Sequence, residues 1–305
     1  MDKIIITTGD PNGIGTEITM KALKALNLPK EKIAIISNKK ILNYYGKLDK
    51  NYEIIEIPYT ENDIKAGQVT KEAGEFSFQS LKLACELKPK AIVTAPVAKN
   101  ALHLAGHNFN GQTEVLQHFL AHDNQLAEML FVANGFRVLL LTRHCALKEI
   151  TLTQDVVVTK IKNLVKTFQK QFSINNPKFA LCGFNPHSGE DGILGREEID
   201  ILIPAVQELQ NAGIDITMPL PADTLFVDAA KNYLKNTKDK YDCYIANYHD
   251  QGLIPIKTVA GENTVNMTIG LDIVRTSPGH GTAFDIAGKN IASPNGMIAA
   301  IKEVL

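Results

Sequence analysis

Short continuous apolar runs alternate along the chain with longer segments in which apolar residues recur at helical spacing. The continuous runs are typical of strands buried on both faces of a sheet, and the periodic segments predict helices. The predicted strands are Lys3–Thr8, Ile33–Ser37, Ala91–Ala95, Met129–Ala133, Arg137–Thr142, Phe179–Phe184 and Tyr241–Ala246. The predicted helices are Thr16–Ala25, Gly74–Leu87, Gln154–Gln171 and Arg196–Ala212.

This alternation predicts an α/β fold with a largely parallel or mixed sheet. No internal repeat, low-complexity tract or linker rich in Pro, Gly and Ser interrupts it, and residues 51–63 are the most irregular stretch. The 305 residues suffice for one large domain or two smaller ones. Without a linker, two subdomains would be joined by continuous secondary structure, and a ligand cleft is expected between them.

Composition narrows the class of protein. A net charge of −1 argues against a nucleic-acid partner and against broad attraction to anionic membranes. No apolar run approaches the roughly 18–20 residues of a membrane span, and the N-terminal residues do not form a signal peptide. We therefore expect a cytoplasmic protein. The cysteines form no CxxC pair and are interpreted as buried, reduced thiols, with Cys145 notable for its position beside a histidine: Cys85, Cys145, Cys182 and Cys243.

Three histidines, His144, His187 and His249, each follow a predicted strand closely. Ligands in open α/β sheets bind outside the carboxyl ends of strands, so three imidazoles placed in this way could converge on one divalent metal ion. Three protein ligands with one open position are typical of a catalytic metal site. Each histidine taken alone is more often an ordinary hydrogen-bonded residue, and their wide spacing is no metal signature by itself.

Two turns offer candidate anion sites. GDPNGIGTE, at residues 9–17, joins a strand to a helix and could present backbone N–H groups to an anion, or could be a tight turn that needs positive φ at its glycines. It is neither GxGxxG nor a P-loop. Gln112 and Thr113 could bind a phosphate or carboxylate, but the residues alone favour an ordinary helix cap for Thr113.

A polar series in apolar surroundings comprises Lys257, Asn266 and Arg275. The two cationic side chains could extend their charged ends to solvent, or they could bind an anionic group, for which the planar guanidinium is well shaped.

Eight stretches in order from residue 9 to residue 288 resemble the 4-hydroxythreonine-4-phosphate dehydrogenase family. They are GDPNGIGTE, TAPVAKNAL, FNGQTE, NPHSGEDG, PLPADTLF, YHDQGLIPIK, VNMTIGL and RTSPGHGTAFDIAG. The resemblance implies a two-subdomain fold like that of isocitrate and isopropylmalate dehydrogenases, with an interdomain cleft, rather than a Rossmann fold. We expect one subdomain from residues 1–110 and 265–305, and a second from 111–264 that holds the metal ligands and the dimer interface.

The resemblance also implies a site. The family forms homodimers with the active site at the subunit interface, where one divalent metal (Zn²⁺, Mg²⁺, Mn²⁺ or Co²⁺) is bound by histidines from both subunits. The matching ligands are His144 and His187 from one subunit and His249 from the other. The positions that match substrate contacts are Gln112, Thr113, Lys257, Asn266 and Arg275. Asp223 and Asp250 are candidates for ligand orientation or proton transfer, or for capping a loop.

The implied reaction, on a small phosphorylated substrate, is the NAD-dependent (or NADP-dependent) oxidation of 4-phosphooxy-L-threonine. Decarboxylation then gives 3-amino-2-oxopropyl phosphate in pyridoxal 5′-phosphate biosynthesis. Gln112 departs from the family, which usually has histidine there, and keeps open a sister dehydrogenase for D-threonate or D-erythronate 4-phosphate. A phosphate acyltransferase, which has a distantly similar fold, and a non-catalytic metabolite-binding protein are further alternatives. Retention of the three histidines, Lys257 and Arg275 argues against a mere binder.

Overall fold

A computed structural model describes residues 2–48, 51–122 and 125–305. The strands are β1 Ile4–Thr7, β2 Ile33–Ser37, β3 Glu53–Glu56, β4 Ala91–Thr94, β5 Glu128–Ala133, β6 Phe136–Leu140, β7 Lys178–Leu181, β8 Asp215–Ile216, β9 Cys243–Ala246, β10 Val265–Ile269 and β11 Val274–Pro278. The helices are α1 Gly15–Leu26, α2 Lys39–Tyr45, α3 Lys71–Glu86, α4 Lys99–Leu104, α5 Gln112–Leu120, α6 Gln154–Gln171, α7 Ile203–Asn211, α8 Ala222–Lys235, α9 His249–Ala260 and α10 Asn295–Lys302. No helix in the described part of the chain combines the length and the apolar composition that a membrane span requires.

The chain divides into two compact units, Met1–Ala127 with Val265–Leu305, and Glu128–Thr264. The sequence predicted the first boundary near residue 110. The observed boundary lies later because α5 packs against α3 of the first unit, and Leu116 and Leu120 join that unit's apolar core.

The first unit has strands in the order β3-β2-β1-β4-β11-β10. Parallel pairing extends from β3 to β11, and the β10–β11 pair is antiparallel, so the sheet is mixed. Because successive side chains point to opposite faces, the run Ile4-Ile5-Ile6 contributes to two apolar layers. Ile4 and Ile6 pack with residues of α1 and α10 on one face, and Ile5 packs with residues of α3 and α5 on the other. Burial on both faces explains why these strands are continuous apolar runs.

The second unit has the strand order β5-β6-β9-β7-β8. β5 and β6 form an antiparallel pair, whereas β9 lies between β6 and β7 and is parallel to both. One face carries an aromatic core in which Phe136, Phe226 and Tyr244 pack together beneath α8 and α9. The carboxyl ends of β6, β9 and β7 therefore meet at one edge of this sheet, and the three candidate histidines follow these strand ends.

Several elements differ from the sequence prediction. The irregular stretch 51–63 contains the edge strand β3, which was not predicted because its first and last residues are polar and its apolar run is short. The predicted helix Arg196–Ala212 begins as a π-helical turn over Glu198–Leu202 and becomes α-helical at Ile203. β6 and β7 end two and three residues earlier than predicted, at Leu140 and Leu181. His144 and His187 consequently lie on longer loops than the sequence suggested.

Candidate active site

The ends of three neighbouring strands in the second unit are fastened together by polar side chains. Thr142, after β6, donates its backbone N–H and its hydroxyl to the carbonyl of Asn247, after β9, at 3.1 and 2.7 Å. The fully buried Asn247 amide donates to the carbonyl of Cys182, after β7, at 2.8 Å. Gln251 reaches the next carbonyl, that of Gly183, at 2.7 Å. These contacts hold together the strand ends that precede the three histidines.

Sequence reasoning did not identify these fastening residues. The predicted site residues did not include Asn247, Thr142 or Gln251. The sequence feature that could have identified them is a polar residue next to an apolar strand end. Such a residue needs a hydrogen-bond partner, because burying an unpaired amide costs free energy.

Two of the three histidines approach each other within one chain. The rings of His144 and His249 have centroids 5.4 Å apart. His249 is the first residue of α9, and its Nδ1 lies 2.7 Å from Oδ1 of Asp250. A carboxylate in that position accepts a hydrogen bond from Nδ1–H and leaves Nε2 available as a metal ligand. The pair can thus supply two imidazole nitrogens to one ion.

His187 lies in a 3₁₀ segment, Pro186–Gly192, that has an unusual backbone. Residues 187–191 all have positive φ, between 41° and 82°. The His187 side chain is exposed. Within residues 2–48, 51–122 and 125–305, no three His, Cys, Asp or Glu side chains are grouped closely enough to hold a metal ion. Among the described residues, the structure thus brings His144 and His249 together but does not group His187 with them.

In the first unit, strand register gathers polar side chains on one face. Arg275 of β11 lies opposite Thr268 of β10, and Ser277 lies opposite Asn266. On the other side, β11 pairs with β4, whose Thr94 follows the partner of Arg275 by two residues. Because side chains alternate along a strand, these residues project from the same face.

Arg275 is the cationic centre of this polar face. Its side chain is almost fully buried, its Nε donates to the Thr94 hydroxyl at 2.8 Å, and a terminal nitrogen donates to the Thr268 hydroxyl at 3.3 Å. Burial lowers the pKa of the guanidinium to about 9, an effect that the nearby Glu114 opposes. The group stays charged at neutral pH. Two of its donors bind neutral hydroxyls, and its further N–H groups can bind an anion.

Asn266, Gln112 and Thr113 belong to the same unit. Oδ1 of Asn266 and Oε1 of Gln112 are buried without a hydrogen-bond partner among the described residues. The Gln112 amide nitrogen donates to the Ala95 carbonyl at 3.2 Å, and that contact fixes which end of the amide is the acceptor. Thr113 is buried in the first turn of α5, and no side chain caps that helix. The interpretation of Thr113 as an N-cap therefore does not hold.

The turn after β1 is closely packed. A Cβ at Gly9, where φ is +71°, would lie 2.3 Å from the Pro96 carbonyl oxygen, so the position requires glycine. Asp10 is fully buried, and its Oδ1 accepts the Asn12 N–H at 2.9 Å while Oδ2 has no described partner. Desolvation raises the pKa of Asp10 to about 6, against the lowering effect of backbone donors at Asn12 and Ala98. The structure therefore shows the tight turn that the sequence offered as one interpretation of residues 9–17. The turn carries the Asp10 carboxyl, whose raised pKa makes it easier to protonate than an ordinary aspartate.

The remaining candidates lie in the second unit. Lys257 is exposed on α9, eight residues after His249, and Asp223 is exposed in the first turn of α8. The cysteine prediction holds for Cys85, Cys182 and Cys243, which are buried free thiols, whereas Cys145 is exposed.

Comparison with known proteins adds independent information. The family model described as pyridoxal phosphate biosynthetic protein PdxA matches residues 3–304. A 4-hydroxythreonine-4-phosphate dehydrogenase from Synechocystis is 40% identical over 99% of this chain and 94% of that protein. A D-threonate 4-phosphate dehydrogenase from Salmonella typhimurium is 37% identical over 98% of this chain and 97% of that protein.

Solved structures agree. The crystal structure of 4-hydroxythreonine-4-phosphate dehydrogenase from Klebsiella pneumoniae superposes with a TM-score of 0.85 at 32% identity, covering 100% of this chain and 98% of that one. A β-decarboxylating dehydrogenase from Thermococcus kodakarensis shares the fold at a TM-score of 0.53 and 14% identity, over 98% and 81% of the two chains. The resemblance predicted from the eight sequence stretches is confirmed, and the chain belongs to the family of the pyridoxal phosphate biosynthetic protein PdxA.

Proposed function

We propose that this chain is a metal-dependent dehydrogenase that oxidises 4-phosphooxy-L-threonine with NAD⁺ or NADP⁺. The substrate gives a hydride from C3 to the nicotinamide and a proton from its C3 hydroxyl. The resulting 2-amino-3-oxo acid loses CO₂ and becomes 3-amino-2-oxopropyl phosphate. The names of relatives that match almost the whole chain support this reaction.

The observation that carries the proposal is the pairing of His144 and His249, with Asp250 at the second ring's Nδ1. Two neutral imidazoles with one ring held by a carboxylate are a donor set suited to Zn²⁺, Co²⁺ or a related divalent ion. A divalent ion bound there would act as a Lewis acid toward the substrate oxygen. The chain's own part is to hold both rings in place and to keep His249 in the tautomer that leaves Nε2 free.

Substrate binding is assigned to the polar face of the first unit and to Lys257 of the second. Arg275 would bind an anionic group of the substrate through the guanidinium donors that Thr94 and Thr268 do not use. Asn266, Gln112 and Thr113 would orient the polar substituents. Asp223 stays a candidate for proton transfer, and Asp250 is better supported as the residue that orients His249.

A homodimer would complete the metal site. Large apolar side chains are exposed on each histidine-bearing segment of the second unit: Leu147 is 67% exposed, Ile193 is 80% exposed and Ile254 is 64% exposed. Such side chains near a polar site favour burial by a protein partner. A second copy of the chain would cover them and would supply the third imidazole.

We propose a different division of the three histidines between the two subunits. The resemblance implied His144 and His187 from one subunit and His249 from the other. The 5.4 Å between the rings of His144 and His249 favours instead these two from one chain, with the residue 187 imidazole coming from the second copy.

Mixed dimers test both the site and its grouping. If His144 and His249 act together, dimers of one H144A subunit and one H187A subunit keep one intact site. A one-to-one mixture would then recover about a quarter of wild-type NADH formation, because half of the dimers are mixed. Mixtures of H144A with H249A would stay inactive. The reverse pattern would support the other grouping, and activity in all three single variants would overturn the metal assignment.

A second candidate function is oxidation of D-threonate or D-erythronate 4-phosphate. Relatives named D-threonate 4-phosphate dehydrogenase are as similar to this chain as several of the 4-hydroxythreonine-4-phosphate dehydrogenases. The substrates differ chiefly in an amino or hydroxyl substituent. Parallel NADH assays on 4-phosphooxy-L-threonine and D-threonate 4-phosphate, with and without a chelator, separate the two. A higher kcat/KM for D-threonate 4-phosphate would replace the first proposal with the second.

A further inference from the structure

The segment that carries His187 has a backbone that its own sequence does not favour. Residues 187–191 form a left-handed turn, and only Gly189 among them lacks a Cβ atom. Residues with a Cβ adopt this conformation singly and rarely in succession, because the Cβ crowds the following carbonyl oxygen. Contacts from outside the turn must therefore hold it.

Those contacts converge on the carboxylate of Glu198, which is 2% exposed. Oε1 accepts the backbone N–H of Asn185 at 2.7 Å, and Oε2 accepts the Asn185 side-chain amide at 3.0 Å. Glu197 accepts from the same amide nitrogen at 2.6 Å. Asn185 lies two residues before the turn, so both of its donors are fixed just before the chain enters the left-handed region.

The same carboxylate also packs against the middle of the turn. A Cβ at Gly189 would lie 2.7 Å from Oε2 of Glu198, and a Cβ at Gly195 would lie 2.3 Å from the Asn185 amide nitrogen. The turn closes through the Leu194 N–H, which donates to the Gly189 carbonyl at 3.0 Å. The buried carboxylate thus touches the entry and the centre of the turn, and His187 lies between these two points.

We propose that Glu198 is a positioning residue that locks the left-handed turn and thereby sets where the His187 imidazole projects for metal binding. This inference depends on the proposed role of His187 as a metal ligand. Most of the turn is exposed, so release of the lock should allow residues 187–191 to relax into more favourable conformations without unfolding the unit. The metal site, rather than global stability, is where the loss would appear.

The decisive variant is Glu198→Gln. Its amide nitrogen is a donor and cannot accept from the Asn185 amide, so one contact of the lock is lost at nearly constant volume. The matched control is Asp200→Asn, which removes a nearby carboxylate that is exposed and paired with Arg196. Binding of Co²⁺ alone to the full-length protein is followed by its visible absorption, alongside urea unfolding and the separate kcat and KM values.

We expect E198Q to weaken Co²⁺ binding about 10- to 100-fold, the usual effect of removing a group that orients a ligand, while D200N binds Co²⁺ like the wild type. Added glycines at the exposed left-handed positions, E190G with D191G, should restore part of the affinity in the E198Q background, because glycine tolerates positive φ. A purely structural role would lower the urea midpoint and leave Co²⁺ affinity unchanged in the folded protein.

The outcomes separate the two proposals. Unchanged Co²⁺ affinity in E198Q, with weakened affinity in H187A, overturns the role of Glu198 and leaves the proposed function standing. Unchanged affinity in H187A itself overturns the ligand assignment. If E198Q does not fold, Asn185→Ser removes the other side of the same contact, and wild-type Co²⁺ affinity in that variant would equally refute the lock.

Discussion

The polar face of the first unit and the histidine-bearing segments of the second fix the positions of their side chains in different ways. Arg275, Thr94 and Thr268 are buried on paired strands, where register alone sets their spacing. His144 and His187 are exposed on loops four and six residues beyond their strands and depend on polar contacts between loops. The first arrangement is formed by paired strands of one unit, whereas in the second only His144 and His249 come together within the described chain. Anion binding should therefore survive changes that abolish metal binding.

The largest expected effect is loss of the metal. Chelation, or His249→Ala, should lower kcat/KM for NADH formation by about three orders of magnitude or more, because Lewis-acid stabilisation contributes several kcal/mol. Binding of inorganic phosphate, measured by calorimetry, should change little in the same samples. Loss of phosphate binding on chelation would remove the distinction between the two regions.

Replacement of Arg275 by Met should lower kcat/KM about 10- to 100-fold, mainly through KM, since a charge-assisted hydrogen bond contributes about 1.5–3 kcal/mol. Co²⁺ affinity should remain that of the wild type. Thr94→Val, which leaves the guanidinium in place but removes one partner, should have a smaller effect on KM. Weakened Co²⁺ binding in R275M would indicate that the two regions are not independent.

Asp250→Asn should weaken Co²⁺ binding about 10-fold or more, because an amide accepts the Nδ1–H of His249 less strongly and can present its nitrogen instead. Asp228→Asn, an exposed carboxylate on α8, is the matched control and should bind Co²⁺ normally. Equal affinities in D250N and the wild type would place the orientation of His249 elsewhere.

The smallest effect concerns stability in the first unit. Burial raises the pKa of Asp10 to about 6, so the folded protein holds this proton more tightly than the unfolded chain does. The contribution of Asp10 to stability is therefore full below about pH 4 and is lost as the pH rises through 6. Asp10→Asn should raise the free energy of unfolding by up to about 3 kcal/mol at pH 7–8 and by little at pH 4.

Urea unfolding at both pH values measures this difference, with Asp215→Asn as an exposed control. A pH-independent difference between D10N and the wild type would show that the Asp10 carboxyl titrates normally in the folded state.

The sequence predicted best where the local pattern and the tertiary environment agree. The apolar runs of β1, β2, β4 and β9 identify strands because burial on both faces demands apolar residues at every position. The hairpin of β10 and β11 was not among the predicted strands, since polar residues such as Asn266 and Arg275 interrupt its apolar pattern.

The position of each histidine after a strand identified the three candidate ligands from the sequence. The distances between their side chains could not be predicted, because they depend on contacts between residues far apart in sequence. The left-handed turn at residues 187–191 has no local signature beyond Gly189, since it depends on Glu198, a residue outside the turn. The fastening role of Asn247 likewise follows from carbonyls that β6 and β7 bring beside it.

The discontinuous first unit has a consequence for synthesis on the ribosome. β11 lies between β4 and β10, so the sheet of the first unit stays incomplete until residues 265–278 have emerged. The second unit is one uninterrupted segment and can begin to fold while the rest is still being translated. In a nascent chain, the histidine-bearing segments would therefore fold before the polar face around Arg275 is complete. Premature termination near residue 270 would leave the sheet of the first unit without β11, and its unpaired edge would promote aggregation.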